Sequence, residues 1–221
     1  LHNVPREDLL TSFDAVSMMA PPELTGLGWD TGNSWLHVDR SFADPADEDY
    51  CVQGFVNLWP VCPGDATLTA LRRSHTLISD AAREFNITER SRFNMLKQHE
   101  GMEEWYSEMG CEQVRVMAPE GSVVVWDNRT VHSGSQPERG RPNPSWRGVV
   151  YVCMVPRYWD TPPKILVKRI DRFEKGRSTG HHPVKVHTFP ALPRTWGKAV
   201  PVITPLPPAE LTVLGRKLVG Y

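Results

Sequence analysis

The sequence predicts a mainly β protein: a double-stranded β-helix, or jelly roll, with a helical insertion and a C-terminal helix plus irregular tail. Three observations predict it. Twenty prolines and sixteen glycines cut the chain into short pieces. Between them lie about eight runs rich in Val, Thr and aromatic residues, which read as strands. Helical periodicity appears in only two stretches. Many short strands at this spacing fit a double-sheet architecture. A sandwich of another topology fits the same count.

In chain order, Leu9 to Met19 reads as a first strand, closed by Pro21-Pro22. Ser34 to Arg40, Tyr50 to Val61 and Ala66 to Arg73 read as the next three. Ser79 to Gly110 holds helix-forming residues, interrupted near Asn86 to Arg92, with Gly110 as a stop signal. Glu112 to Met117 and Ser122 to Asp127 read as a pair joined by the Pro119-Glu120-Gly121 turn. Val131 to Ser135 is short, and Trp146 to Val155 is the longest apolar run. Pro163 to Arg177 places Leu166, Ile170 and Phe173 on one helical face and basic residues on the other, which reads as solvated. From Ser178 onward Pro and His break any period, and a tail packed on the domain is expected. The 221 residues fit one domain. Its jelly-roll core covers about 8–156, its insertion about 79–110, and its C-terminal helix and tail about 160–221.

Composition excludes some functions. With 25 basic and 26 acidic residues the formal charge is −1. That lacks the electrostatic footprint nucleic acid demands, so a small-molecule substrate is expected and no nucleic acid. No run reaches the eighteen or so apolar residues of a membrane helix, so no membrane span is expected. Four cysteines, Cys51, Cys62, Cys111 and Cys153, form no CxxC pair. Reduced thiols in a cytoplasmic protein are the expectation. The oligomeric state is not legible.

The chemistry concentrates in Trp35-Leu36-His37-Val38-Asp39. Side chains on a strand alternate, so His37 and Asp39 share a face while Leu36 and Val38 take the other. An imidazole and a carboxylate side by side can occupy two adjacent positions on one metal ion. Two His and one carboxylate on one octahedral face are the usual ligands of non-haem iron(II) in oxygenases. This spacing occurs once among the eight histidines. Alone it is a weak signal.

A second segment strengthens it. Gly121-Ser122-Val123-Val124-Val125-Trp126-Asp127 reads as turn and strand, Asn128-Arg129-Thr130 turns the chain, and Val131-His132-Ser133-Gly134 follows. Trp146-Arg147-Gly148-Val149-Val150-Tyr151-Val152 then begins another strand. Upstream, Gln53-Gly54-Phe55-Val56-Asn57-Leu58 is followed by Pro63-Gly64-Asp65-Ala66-Thr67 and Arg73-Ser74-His75. From about Asp8 to Pro156 this pattern resembles the phytanoyl-CoA dioxygenase-like family of Fe(II)/2-oxoglutarate-dependent oxygenases. The resemblance implies iron(II) on His37, Asp39 and His132, with 2-oxoglutarate and O2 as co-substrates. Arg147 then holds the far carboxylate of 2-oxoglutarate, a role that suits the planar guanidinium fork. The implied reaction hydroxylates or otherwise oxidises a small organic substrate, releasing succinate and CO2. Asp39 stands where halogenating relatives carry a small residue, so halogenation is not expected.

Gln53 and Asn57 lie four apart on one strand face and are candidates for contact with 2-oxoglutarate or substrate; core hydrogen bonding explains them equally. Ser133, beside His132, is a further candidate, with turn formation as its simpler role. Three features depart from the family. Only about thirty-five residues precede His37, which reads as a trimmed or short form. Arg147 follows His132 by fifteen residues, further than usual, and the extra loop carries two rival arginines, Arg139 and Arg141. Arg73 stands where the family has Gly. His75 reads as structural, and Trp126 as a core aromatic. His181 and His182, being adjacent, face opposite ways on a strand and do not read as a metal pair. Two rival functions remain at this point: a catalytically silent jelly-roll binding protein, and a cupin-type metalloenzyme that does not use 2-oxoglutarate.

Overall fold

The computed structural model describes residues 3–45, 50–91, 94–158, 161–188, 199, 202, 204 and 207–221. Its elements are β1 (Leu9–Thr11), β2 (Val16–Met19), α1 (Pro22–Thr25), β3 (His37–Val38), β4 (Val52–Asn57), β5 (Thr67–Leu71), α2 (Ile78–Glu84), β6 (Asn94–Met95), α3 (Met102–Glu108), β7 (Gln113–Arg115), β8 (Val123–Asp127), β9 (His132–Ser135), β10 (Arg147–Tyr151), β11 (Met154–Pro156), α4 (Pro163–Glu174) and α5 (Val213–Val219). The mainly β, two-sheet expectation holds: the strands form two sheets, and every recorded pairing is antiparallel. Much of the predicted irregular tail, between residues 189 and 206, lies outside the described residues. Among the described residues no helix is long and apolar enough to cross a membrane.

The chain forms two compact units, Val16–Val150 on one hand, and Leu1–Ala15 with Tyr151–Tyr221 on the other. The expected single first strand is therefore two. β1 belongs to one unit and β2 to the other, with Asp14 and Ala15 between them. The long apolar run from Trp146 is also two strands, β10 and β11, broken at Val152-Cys153.

In the 16–150 unit one sheet is β6-β3-β9-β5-β7. In the other, β4 pairs with β8 and β10, and β10 pairs with β2. β7 and β8 are not the hairpin that the Pro119-Gly121 turn suggests. β7 pairs with β5, and β8 pairs with β4 in the other sheet. The turn, with Gly121 at φ +75°, carries the chain from sheet to sheet. Alternation decides which strand face meets what. Val38, Leu71 and Val131 lie opposite the face that carries His37 and His132, and they join Ile78 and Ala81 of α2 and Met102 and Tyr106 of α3 in one buried cluster. The helical insertion thus covers the back of this sheet. Ser74 ties strand ends together: its Oγ donates to Leu71 O and accepts from Val131 N, both at 2.8 Å. Arg73, at the family's Gly position, holds φ +67°, a left-handed conformation that favours Gly. Gly148 is required by close approach, because a Cβ there would overlap the Trp59 ring.

In the other unit β1 pairs with β11. The basic face of α4 is not wholly solvated. Arg169 is buried, and its guanidinium donates to the carbonyls of Thr11, Pro183, Leu218 and Val219. It binds β1, α5 and the segment after α4 into one body, because a buried cation must fill its donors.

Candidate metal centre

His37 on β3 and His132 on β9 are directly opposite in the antiparallel register, so two residues distant in sequence point from one sheet face. Their ring centroids are 4.5 Å apart, and both are buried. Asp39, two residues after His37, returns to the same face. Its Oδ1 is 3.6 Å from His37 Nε2, and its Oδ2 is 3.5 Å from His132 Nε2. These three groups alone among the residues of the 16–150 unit that are described bring His, Cys or carboxylate donor atoms within 4.8 Å of one another as a trio.

The donor chemistry fits a divalent cation. Nδ1 of His37 lies 3.1 Å from Trp35 O, and Nδ1 of His132 lies 2.9 Å from Thr130 O. A carbonyl only accepts, so both Nδ1 atoms are the donors, and both Nε2 atoms face Asp39. This is the usual outer support of a metal-bound imidazole. Trp35 stacks on His37, with centroids 4.7 Å apart and planes at 19°, and its Nε1 donates to Gly134 O at 2.7 Å. Trp126 packs on His132 at 5.2 Å. The two indoles hold the rings in place.

Gln53 lies here, but as a support for the carboxylate. Its Nε2 donates to Asp39 Oδ2 at 2.8 Å, and its Oε1 accepts from Trp126 Nε1 at 3.0 Å. Asn57 follows on the same face of β4. Its Nδ2 donates to Ala118 O, and its Oδ1 is buried without a partner among the described residues. Ser133 falls on the opposite face from His132, as strand alternation requires, beside Thr69 and Arg115 in register. It does not face the centre. His75, half-buried, is not one of the group.

Arg147 opens β10, half-buried, with its Cζ 5.9 Å from the Phe55 ring centroid. Phe55 lies on the Gln53 face of β4 and contacts Trp126, whose ring touches His132. A line of contacts therefore joins Arg147 to His132. Among the described residues Arg147 has no carboxylate partner. The rivals differ. Arg139 is exposed over Trp29. Arg141, in the same loop, is buried, and it pairs with Asp65 at 2.6 Å and Glu23 at 2.7 Å. These partners lie far away in sequence, so the local Pro-Gly composition could not reveal them.

The turn before His132 is also clamped. Arg129 donates to both Asp127 carboxylate oxygens, at 2.8 and 2.6 Å, and its backbone N–H donates to Oδ1. Burial pushes the Asp127 carboxyl up, but the Arg129 hydrogen bonds and charge outweigh it and hold the group below its ordinary value. The clamp shapes the turn that presents Thr130 O to His132.

No protein-family model matches the chain. It is 25% identical to Ava biosynthesis cluster protein O of Aspergillus versicolor, over 74% of this chain and 52% of the relative, and so spans about half that protein's length. Among solved structures it is similar to the epimerase SnoN in complex with Fe3+, alpha ketoglutarate and nogalamycin RO, with 16% identity, TM-score 0.40, 68% of this chain and 52% of the other. It is also similar to EvdMO1, with 20% identity, TM-score 0.39, 65% and 26%. Likeness of this extent leaves the site to be argued from its own residues.

Proposed function

We propose that the chain is an Fe(II)- and 2-oxoglutarate-dependent oxygenase of the phytanoyl-CoA dioxygenase-like type that hydroxylates or otherwise oxidises a small organic substrate. The observation that carries this reading is the buried His37–Asp39–His132 group, with both Nε2 atoms and the carboxylate aimed at one point. Two His and one carboxylate leave half of an octahedral iron open, and such iron, when bound, supplies oxygen activation.

The chain's own residues do the rest. His37, Asp39 and His132 hold the ion. Gln53 fixes the carboxylate, and Trp35 and Trp126 restrict the imidazoles and exclude water. Arg147 supplies the one half-buried cation of the contact line with no carboxylate partner of its own among the described residues, which suits the far carboxylate of 2-oxoglutarate. The charges then cancel: a dication and Arg147 against Asp39 and a dicarboxylate. An unpaired cation beside an aromatic interior is costly, and a dicarboxylate relieves it. The carboxylate at position 39 favours oxidation over halogenation. The name of the Aspergillus relative, which refers to a biosynthesis cluster, supports a small-molecule substrate. The test is succinate release from 2-oxoglutarate by iron-loaded protein over a panel of small molecules. Iron-dependent release that some substrate stimulates is expected; a chain that binds neither iron nor 2-oxoglutarate contradicts the reading.

A further inference from the structure

A second group of ligand-type side chains lies in the unit formed by residues 1–15 and 151–221, apart from the centre described above. Asp14 sits between β1 and β2, Cys153 in the break between β10 and β11, and His181 in the segment after α4. One carboxylate oxygen, the Sγ and one ring nitrogen of these residues lie within 4.8 Å of one another. Asp14 Oδ2 and His181 Nδ1 are hydrogen-bonded, 2.5 Å apart. The Asp14 side chain is 1% exposed and Cys153 is 1% exposed, whereas the His181 side chain is 37% exposed. The group is therefore closed by protein behind and open to water at one side.

Backbone hydrogen bonds lie at or beside each ligand. Ser12 N donates to Cys153 O at 2.9 Å, and Cys153 N donates to Ser12 Oγ at 3.0 Å. The other Asp14 oxygen, Oδ1, accepts from Ala15 N at 2.8 Å. Thr179 N donates to Phe13 O at 2.7 Å, and Gly180 N donates to His187 O at 2.9 Å. Three ligand-bearing segments remote in sequence are thus held in register by backbone bonds and by the Ser12 hydroxyl, as a preorganised site requires.

We propose that Asp14, Cys153 and His181 form a second metal site, for a zinc-class divalent ion, that staples the segment after α4 to the β1–β2 and β10–β11 breaks. Bond lengths of about 2.0–2.3 Å from a tetrahedral ion place ligand atoms about 3.3–3.8 Å apart, within reach of small side-chain rotations here. The ion replaces the Asp14–His181 proton and the thiol proton, and both leave to solvent. Water takes the fourth position on the exposed side. Ligand softness separates the two sites. A thiolate selects zinc over iron, whereas the nitrogen and oxygen donors of the first centre suit iron(II). The adjacent His181-His182 pair conceals this site in the sequence, because the partners of His181 are Asp14 and Cys153 rather than its neighbour.

Cobalt(II) tests the proposal, since a thiolate–cobalt bond adds a sulfur charge-transfer absorption that the first centre cannot produce. The full chain and its His37→Ala variant should show that band at one cobalt per site, and zinc should abolish it. Cys153→Ser should lose the band, Cys62→Ser should keep it, and His181→Ala should weaken cobalt binding on the order of a hundredfold. Zinc should raise the melting temperature of His37→Ala but not of His37→Ala/His181→Ala. His181 is partly exposed, so its variant carries the test alone if Cys153→Ser fails to fold. No sulfur band in the unaltered chain, a band that survives Cys153→Ser, or an unchanged cobalt affinity in His181→Ala overturns the proposal.

Discussion

Gln53 donates a 2.8 Å hydrogen bond to Asp39 Oδ2 while accepting one from Trp126, and so joins a proposed metal ligand to the indole that packs on His132. A carboxylate free to rotate is a poorer ligand than one held by an amide. Gln53→Ala should lower iron(II) affinity about ten- to hundredfold, the usual effect of losing an outer-shell partner. Competition against a chelator of known affinity measures it. Unchanged affinity in a folded variant contradicts the role given to Gln53.

Arg147 should govern 2-oxoglutarate. Arg147→Ala should weaken its binding on the order of thirtyfold or more and leave iron binding nearly intact. Arg139, exposed over Trp29, should matter less than about threefold. Calorimetric titration of the iron-loaded protein without oxygen separates the two. A large effect at Arg139 with none at Arg147 would place the co-substrate elsewhere.

Arg141 has a structural role instead. Its side chain and that of Asp65 are almost fully buried; removing Arg141 strands the Asp65 charge, whereas removing Asp65 leaves Arg141 its pair with Glu23. Arg141→Ala should destabilise the protein by roughly 3–5 kcal/mol, and Asp65→Ala by less, because Glu23 still pairs with Arg141. Replacing both by apolar residues should cost much less. Urea unfolding of the two single variants and the double variant gives the comparison, and equal losses in all three contradict it.

How much of this was legible in the sequence follows from which contacts are local. His37 and Asp39 announce themselves through a two-residue period, and Gln53, Phe55 and Asn57 share a face for the same reason. His132 could be placed only by its flanks and order, since its pairing with His37 crosses ninety-five residues of chain. The Pro119-Gly121 turn reads the same whether it closes a hairpin or carries the chain between sheets, so it does not reveal that β7 pairs with β5 and β8 with β4. Arg141 and Arg169 look like solvated cations because the groups that bury them lie elsewhere in the sequence. Ser133 takes the opposite face by the same alternation that turns His132 toward His37.

The Asp127–Arg129 clamp should show in acid. The folded-state pKa of Asp127 is depressed, so the clamp's stabilisation is fully present above the unfolded carboxylate value of about 3.9 and is lost as pH falls through the folded value. Asp127→Asn should therefore be less stable than the unaltered protein by a constant amount above about pH 5, with the gap closing below about pH 4. Urea titrations across that range check it. A gap that widens in acid reverses the sign.

The central claim is that His37, Asp39 and His132 hold iron(II). The direct measurement is anaerobic equilibrium dialysis of iron(II) in a Cys153→Ser background, which removes the thiolate site from the count. The account predicts one iron per chain, and a loss of affinity of about a hundredfold or more in His37→Ala and in His132→Ala, with the fold retained. Iron held equally well by those variants would contradict it.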